Sequence, residues 1–376
     1  MSTTTVVHSA TVAQSRAEQL RFWLLLAGLA ALLLISMTLG ITLGPVEIPM
    51  GAVWRIAASE LLRVVSNLTS LNLNQWVGTE EDWTQAQFNI IWLIRFPRVL
   101  LGVFVGAGLA VVGVTMQALV RNPLADPYIL GISSGASVGA VAALAFGVFA
   151  FAGIYAISLG AFLGSLLTFV IVFLLAQSNG RLVPTRLILS GVAVAYFFSG
   201  LTSFMTLTSD QRELARTVLA WLLGSLAGTD WGELTLPAAV LVVGSLYLTL
   251  QARSLNALIV GDETAATLGV DLTRFRQQLF LMVSLITGTM VAVSGAIGFV
   301  GLMIPHIVRL LVGTDHRRVL PVSIFVGSIF LIWVDVVARI AFAPVELPVG
   351  VITALLGGPF FLWLLRQQWI SRGGWG

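Results

Sequence analysis

The chain has 376 residues, 57% of them hydrophobic and only 10% charged, and a formal net charge of +3. An ordinary soluble domain is roughly 25% charged, so this composition reads as an all-α polytopic membrane protein. Cysteine is absent and all 20 basic side chains are arginines, which excludes disulfides, thiolate-ligated metals, Schiff-base chemistry and the lysine of a Walker A phosphate loop.

Residues 1–21 form a polar extension carrying Arg16 and Arg21, with no small-residue cleavage site before the apolar run that follows. They read as a cytoplasmic lead into an uncleaved first span. About ten spans are expected, each near the roughly 20 apolar residues that cross a bilayer as helix: 22–43, 96–117, 128–150, 152–176, 187–207, 234–251, 277–295, 299–313, 321–341 and 348–366. Unbroken runs exclude the alternating strands of a membrane barrel. The pair 277–295 and 299–313 is short for two crossings; Gly295, Gly298 and Gly301 can break it into a hairpin, with a single bent helix as the alternative. With both termini inside, thirteen of the 20 arginines fall on the cytoplasmic side and seven outside, as the positive-inside rule requires. Acidic residues lean outward, among them Glu80, Glu81 and Asp82.

Along the chain, residues 44–95 make the longest outer segment, polar from Ser66 to Asn89, and are expected to carry a short surface helix. RFPR sets Arg95 and Arg98 where this segment enters the second span, against the charge bias. Two readings stay open for them: snorkelling to lipid phosphates, or bidentate pairing with carboxylates of an outside partner. Small-residue spacings at Gly102/Gly106, Gly131/Gly135/Gly139 and Gly160/Gly164 read as close helix packing rather than a pore. Residues 253–276, RSLNALIVGDETAATLGVDLTRFR, look like two short helices, with Asp262 as N-cap of the second, Gly269 as its stop and Asp271 capping the next span. Leu255, Leu258 and Ile259 are expected to form one exposed apolar edge and Ala265, Ala266 and Leu268 another. Such an edge suits a docking surface or a pair of helices resting on lipid headgroups. Asp335 and Arg339 stand in i, i+4 register, which favours an internal ion pair, although Arg339 can also reach outward.

Seven ordered stretches then carry a resemblance over about residues 20–368. They are RFPR at 95, QALVRNPLADPYILGISSGA at 117, RLILSGVA at 186, WLLGSL at 221, LGVDLTRFR at 268, GAIGFVGLMIPHIVRLLVGTDHRRVLP at 295 and ELPVGVITALLGGPFFLWLL at 346. The chain resembles the FecCD-family permeases, membrane subunits of binding-protein-dependent ABC importers for iron-siderophores, haem and cobalamin. The resemblance implies a permease domain over 22–368, with 44–95 as a periplasmic segment, 253–276 as a cytoplasmic coupling loop and 369–376 as a cytoplasmic tail. It further implies a multi-pass protein of the bacterial inner membrane with no catalytic role. Its partners would be a second permease subunit, two cytoplasmic ATP-binding subunits that hold ATP and magnesium, a periplasmic solute-binding protein and membrane lipid, with no nucleic acid and no cofactor or metal of its own. By position, Arg95, Arg98 and Arg339 resemble the arginines that pair with glutamates of the binding protein. Leu258, Gly261, Asp262, Glu263, Ala265, Leu268 and Gly269 resemble the ATPase-coupling helices. Pro184 and Thr185 at the start of the fifth span, with the outer segment 208–226, resemble gating elements. An intact ferric siderophore is the expected cargo, with haem or cobalamin as the alternative.

An ion-coupled secondary transporter is the competing class, but it needs carboxylates or histidines in mid-span, and only Asp335 qualifies. No paired carboxylates or metal-ligand cluster within the spans favours an enzyme. His306 is expected to be a hydrogen-bonded structural residue, and His316, beside Asp315, a turn residue or an ATPase-facing contact. Ten residues apart, they would lie about 15 Å from each other on one helix, too far to share a metal.

Overall fold

The computed structural model describes residues 3–46, 48–69, 83–178, 181–209 and 214–371. The acidic run Glu80 to Asp82, residues 210–213 of the expected outer gating segment and the tail from 372 lie outside the described residues. The helices are α1 (Thr3–Thr42), α2 (Met50–Thr69), α3 (Gln85–Phe88), α4 (Phe96–Val120), α5 (Ile132–Phe146), α6 (Ala156–Ala176), α7 (Pro184–Thr208), α8 (Leu214–Leu222), α9 (Thr235–Leu250), α10 (Ala252–Val260), α11 (Asp262–Thr267), α12 (Leu272–Ser294), α13 (Val300–Val312), α14 (His316–Ile340) and α15 (Val349–Ser371). Among the described residues, eight helical stretches are long and apolar enough to span a membrane, and α5 and α13 are shorter apolar helices. Together they account for the ten expected crossings.

The hub is α4, buried along nearly its whole length. Glycine lets its neighbours approach closely: Gly106 faces Gly327 of α14 and Gly113 faces Gly301 of α13, and a Cβ at any of these sites would meet the partner helix at or inside normal contact. Likewise Gly135 and Gly139 of α5 pack onto Gly164 and Gly160 of α6. The small-residue spacings therefore serve helix packing, as read from the sequence. Beside α4, α1 and α14 run parallel. Their contacts climb in step from Glu18 with Arg318, through Ser36 with Trp333, to the backbone of Gly40 with Arg339.

One crossing is built differently from the sequence expectation. The span expected over 128–150 begins as helix only at Ile132: Asp126 accepts a hydrogen bond from the Tyr128 N–H and opens a 3-10 turn over Pro127–Leu130, and Gly131, at φ 72°, breaks the chain before α5. At 15 residues, α5 covers about 22 Å, short of the roughly 30 Å hydrocarbon core. The hairpin reading of 277–313 holds: α12 stops at Gly295 (φ 67°), Phe299 takes a left-handed φ of 69°, and α13 follows with 13 residues. The two irregular segments meet within the bundle. Pro127 lies against Gly301, and the Tyr128 hydroxyl donates to the Ile297 carbonyl at 2.8 Å. Non-helical backbone at membrane depth needs such protein partners, because lipid offers none.

The segment 44–95 holds more helix than expected. The 20-residue α2 buries Ala52, Val53 and Ile56 against the bundle and exposes Met50, Trp54 and Leu61. A capping box formed by Thr84 and Gln87 then starts helix at Gln85, and a π-helical stretch over Asn89–Arg95 continues it into α4.

Candidate functional site

At the end of the bundle where α4 begins, charge is concentrated in a region of low exposure. The last carbonyls of α1 lack a following turn, and two guanidinium groups satisfy them. Arg95 donates through Nη1 to Ile41 O and Thr42 O at 2.8 Å each, and through Nη2 to Val46 O at 2.7 Å. Arg339 donates to Gly40 O at 2.7 Å and Leu43 O at 3.1 Å. Asp335 is the common carboxylate, 3.1 Å from Arg339 Nε and 2.9 Å from Arg98 Nε. Arg98 also reaches Glu346 at 2.9 Å, and Glu346 is the exposed member of the group. The internal pair of Asp335 with Arg339 is thus present, as its register implied. The outward reach read for Arg95, Arg98 and Arg339 is not what this chain displays: they are 5%, 6% and 3% exposed, and their guanidinium groups are held by its own carbonyls and carboxylates, with Arg339 Nε in ion-pair range of Asp335 but without a hydrogen bond among the described residues. A charge removed from water needs such partners close by. Snorkelling to lipid is excluded by the same burial.

At the opposite end, α10 and α11 project between α9 and α12 as the two short helices expected. Their faces differ from the sequence reading. Leu255, Leu258 and Ala265 are fully buried and anchor the pair to the bundle, while Ile259, Val260 and Leu268 form the exposed apolar edge. Gly261, at φ 147°, is the N-cap of α11, and Gly269, at φ 82°, follows its last turn. Asp262 is consequently not the cap. As the first residue of α11, it turns its carboxylate back toward the bundle, 2.8 Å from Arg276 Nη2 of α12 and 3.4 Å from Arg121 at the end of α4. Arg276 is 8% exposed, and its Nε finds no hydrogen-bond partner among the described residues. Asp271 caps α12 as expected, accepting from the Thr273 and Arg274 N–H groups. Glu263 is exposed.

Beside this pair lies a groove of about 480 Å³ between α11 and a two-stranded turn, Gln177–Ser178 against Arg181–Leu182. Pro184 borders it as the first residue of α7, where a missing N–H and a fixed φ suit a helix start, and Thr185 next to it is exposed. A second groove of about 500 Å³ lies on the other flank, lined by Asn256, Val260, Leu268 and Arg317 among others. His316 is neither exposed nor a turn residue. It is 2% exposed, with Nδ1 2.6 Å from Asn256 Oδ1, and the Asn256 amide donates to Asp315 at 2.7 Å, so that α14 is fastened to α10. Burial pushes the Asp315 carboxyl up, but the Asn256 amide, the Arg317 N–H and the charges of Arg317 and Arg318 outweigh it and hold the group below the usual carboxylate range. His306 packs edge-on against Phe360 at 5.8 Å. Among the described residues, no group of three acidic or histidine side chains is arranged to hold a metal ion.

The family model of the FecCD transport family matches residues 32–367. The chain belongs to the FecCD transport family. This FecCD permease is 46% identical over 279 residues to the cobalamin import system permease protein BtuC of Halobacterium salinarum, covering 74% of each chain. It is 43% identical over 288 residues to the hemin transport system permease protein HmuU of Yersinia pestis, covering 76% of this chain and 85% of that one. To the vitamin B12 import system permease protein BtuC of Salmonella paratyphi A it is 40% identical over 316 residues, covering 84% and 95%. Among solved structures, an inward-facing metal-chelate type ABC transporter superposes with a TM-score of 0.75 at 30% identity, covering 91% of this chain and 99% of that one. The FecCD chain is therefore a multi-pass permease subunit of an ABC importer, with a transport role rather than an enzymatic one.

Sequence reasoning missed Arg121 and Asn256, whose partners lie far along the chain, and Arg276, whose partner Asp262 is 14 residues away across a turn. The one available signal was scarcity: with 17 acidic residues for 20 arginines, an arginine inside a mostly apolar stretch must find its carboxylate somewhere within the fold.

Proposed function

We propose that this permease imports an intact metal chelate across the bacterial inner membrane by alternating access, powered by two ATPase subunits bound at the α10–α11 end. On this reading that end and both termini are cytoplasmic, a substrate-binding protein delivers cargo at the Arg95 end, and a second permease subunit completes the path. The chain itself brings no cofactor; ATP and magnesium belong to the ATPase. The observation that carries the reading is the seating of α11. An exposed rim of Ile259, Val260, Glu263 and Leu268 offers a partner surface, while Asp262 behind it ties the same helix to α4 and α12. A push on α11 is thereby transmitted to two spans, and the groove beside Pro184 and Thr185 leaves room for the start of α7 to move.

For cargo, the relatives, permeases for cobalamin and hemin, favour a metal tetrapyrrole over the ferric siderophore that the sequence puts first. The ion-coupled alternative loses its main support, since both oxygens of Asp335 already face guanidinium groups. The test is uptake into liposomes holding the full transporter and ATP, comparing labelled cobalamin, hemin and a ferric chelate in the presence of the binding protein. Uptake without ATP, driven by an ion gradient, would overturn the importer reading; a ferric chelate as the one transported cargo would restore the siderophore.

The two faces of the projecting pair separate experimentally. Leu268→Asp, at a 69% exposed position, should leave the permease folded and lower co-purification of the ATPase at least severalfold. Leu258→Asp, at a fully buried position, should destabilise the permease itself by several kcal/mol. Thermal unfolding measured beside co-purification distinguishes the two effects.

A further inference from the structure

A third groove, of about 320 Å³, lies where α1, α13 and α14 converge, lined by different residues from the two grooves described above. Its rim is charged and its floor apolar. Glu18 and Arg21 of α1 and Arg318 of α14 form the rim, while Phe22 and Leu25 of α1 with Leu311 and Val312 of α13 form the floor. Glu18 and Arg318 pair at 3.2 Å, both well exposed, and Arg21 makes no ion pair or hydrogen bond among the described residues. Two guanidinium groups and one carboxylate leave the rim one positive charge in excess. Next to the floor residues in the chain, Leu24 on α1 and Leu310 on α13 are exposed apolar side chains as well. In a chain that spans a membrane, a cationic rim at the end of an apolar seam matches one kind of molecule: a phosphate headgroup at the rim, with acyl chains along the seam.

We propose that this groove binds a singly anionic phospholipid with a hydroxyl-bearing headgroup, of the phosphatidylglycerol class. Its phosphate lies between Arg21 and Arg318, a charge-assisted contact to two guanidiniums. Its headgroup hydroxyls donate to Glu18, and its one negative charge neutralises the rim. A zwitterionic lipid would leave the excess charge in place, and free inorganic phosphate would forgo the apolar floor. The site also gives the loosely covered lower half of α1 a partner: the most apolar window of this span is only 17% buried in the chain itself.

The test is native mass spectrometry of the full-length chain purified with its partner subunits, delipidated and titrated separately with dioleoyl phosphatidylglycerol, dioleoyl phosphatidylcholine and inorganic phosphate. Arg21→Gln is the main variant, because Arg21 has no partner among the described residues to lose; Arg21→Gln with Arg318→Gln is the second. The expected result is that the tightest phosphatidylglycerol adduct weakens about fivefold for each arginine removed, while phosphatidylcholine binds alike to wild type and variants. Unchanged phosphatidylglycerol affinity in both variants, equal retention of phosphatidylcholine by the wild type, or displacement of the lipid by millimolar phosphate would each overturn the assignment.

Discussion

Replacing Asp335 by alanine should leave a permease that barely folds. The substitution strips the shared carboxylate from Arg98 and Arg339, whose side chains are 7% and 3% exposed, and leaves two guanidinium charges side by side out of water. Breaking a buried pair in this way costs about 3–5 kcal/mol, a large share of the 5–15 kcal/mol that holds a typical protein folded. Asp335→Asn keeps the shape and one acceptor and should cost less, though still more than any surface change nearby. Glu346→Ala removes the half-exposed arm of the same group and should be mild, because Glu346 itself faces water and Arg98 keeps Asp335. Thermal unfolding of the three purified variants checks the order, and equal stability of Asp335→Ala and Glu346→Ala would refute it. The comparison also bears on docking at this end. If a carboxylate of the binding protein engages Arg98, it competes with Glu346 and not with Asp335, so Glu346→Ala should tighten docking whereas Asp335→Ala should abolish it through loss of fold.

Asp262→Asn should separate ATP hydrolysis from transport. The carboxylate is about 39% exposed and serves both Arg276 and Arg121, so its loss removes roughly 1–3 kcal/mol of local attachment rather than the whole fold. With α11 still able to meet its partner through Ile259, Val260 and Leu268, ATPase binding should persist. What weakens is the link from that helix to α4 and α12. Cargo moved per ATP hydrolysed should fall about tenfold, since 1.4 kcal/mol corresponds to a factor of ten. Asp262→Glu, which keeps the charge, should recover part of the ratio, and Asp262→Arg with Arg276→Asp should recover part as well. An unchanged ratio in Asp262→Asn, in a transporter whose uptake still needs ATP, would remove Asp262 from the transmission without touching the importer reading.

Features that follow from local chemistry were legible in the sequence. Ten crossings, close packing at the small-residue spacings, the Asp271 cap and the break at Gly295 each depend on residues within a few positions of one another, so spacing alone revealed them. The facing of side chains was less legible. A short amphipathic helix such as α10 has apolar residues on both sides, and which side meets the bundle is decided by the angle at which α9 delivers it; Leu258 and Ile259 were therefore assigned to one edge when they occupy two. Long-range charge pairing was the hardest to read. Arg98 finds Asp335 across 237 residues and His316 finds Asn256 across 60, distances over which no periodicity operates. The same limit explains Asp262, which looks like a cap when only its neighbours are considered and becomes a joint once Arg121 and Arg276 are brought beside it.

The end of α1 has a consequence for the order of events during synthesis. The carbonyls at Ile41, Thr42 and Val46, in and just beyond its last turn, can be met by Arg95 about 50 residues after they leave the ribosome, but those at Gly40 and Leu43 await Arg339, almost 300 residues later. At about 5–20 residues per second, that is an interval of roughly 15–60 s in which the first span lies in the bilayer without its permanent neighbour, α14. The opening helix of the chain is therefore among the last to be fully secured, and a nascent chain cut short before residue 339 would hold the end of α1 through Arg95 and its packing on α2 and α4 alone.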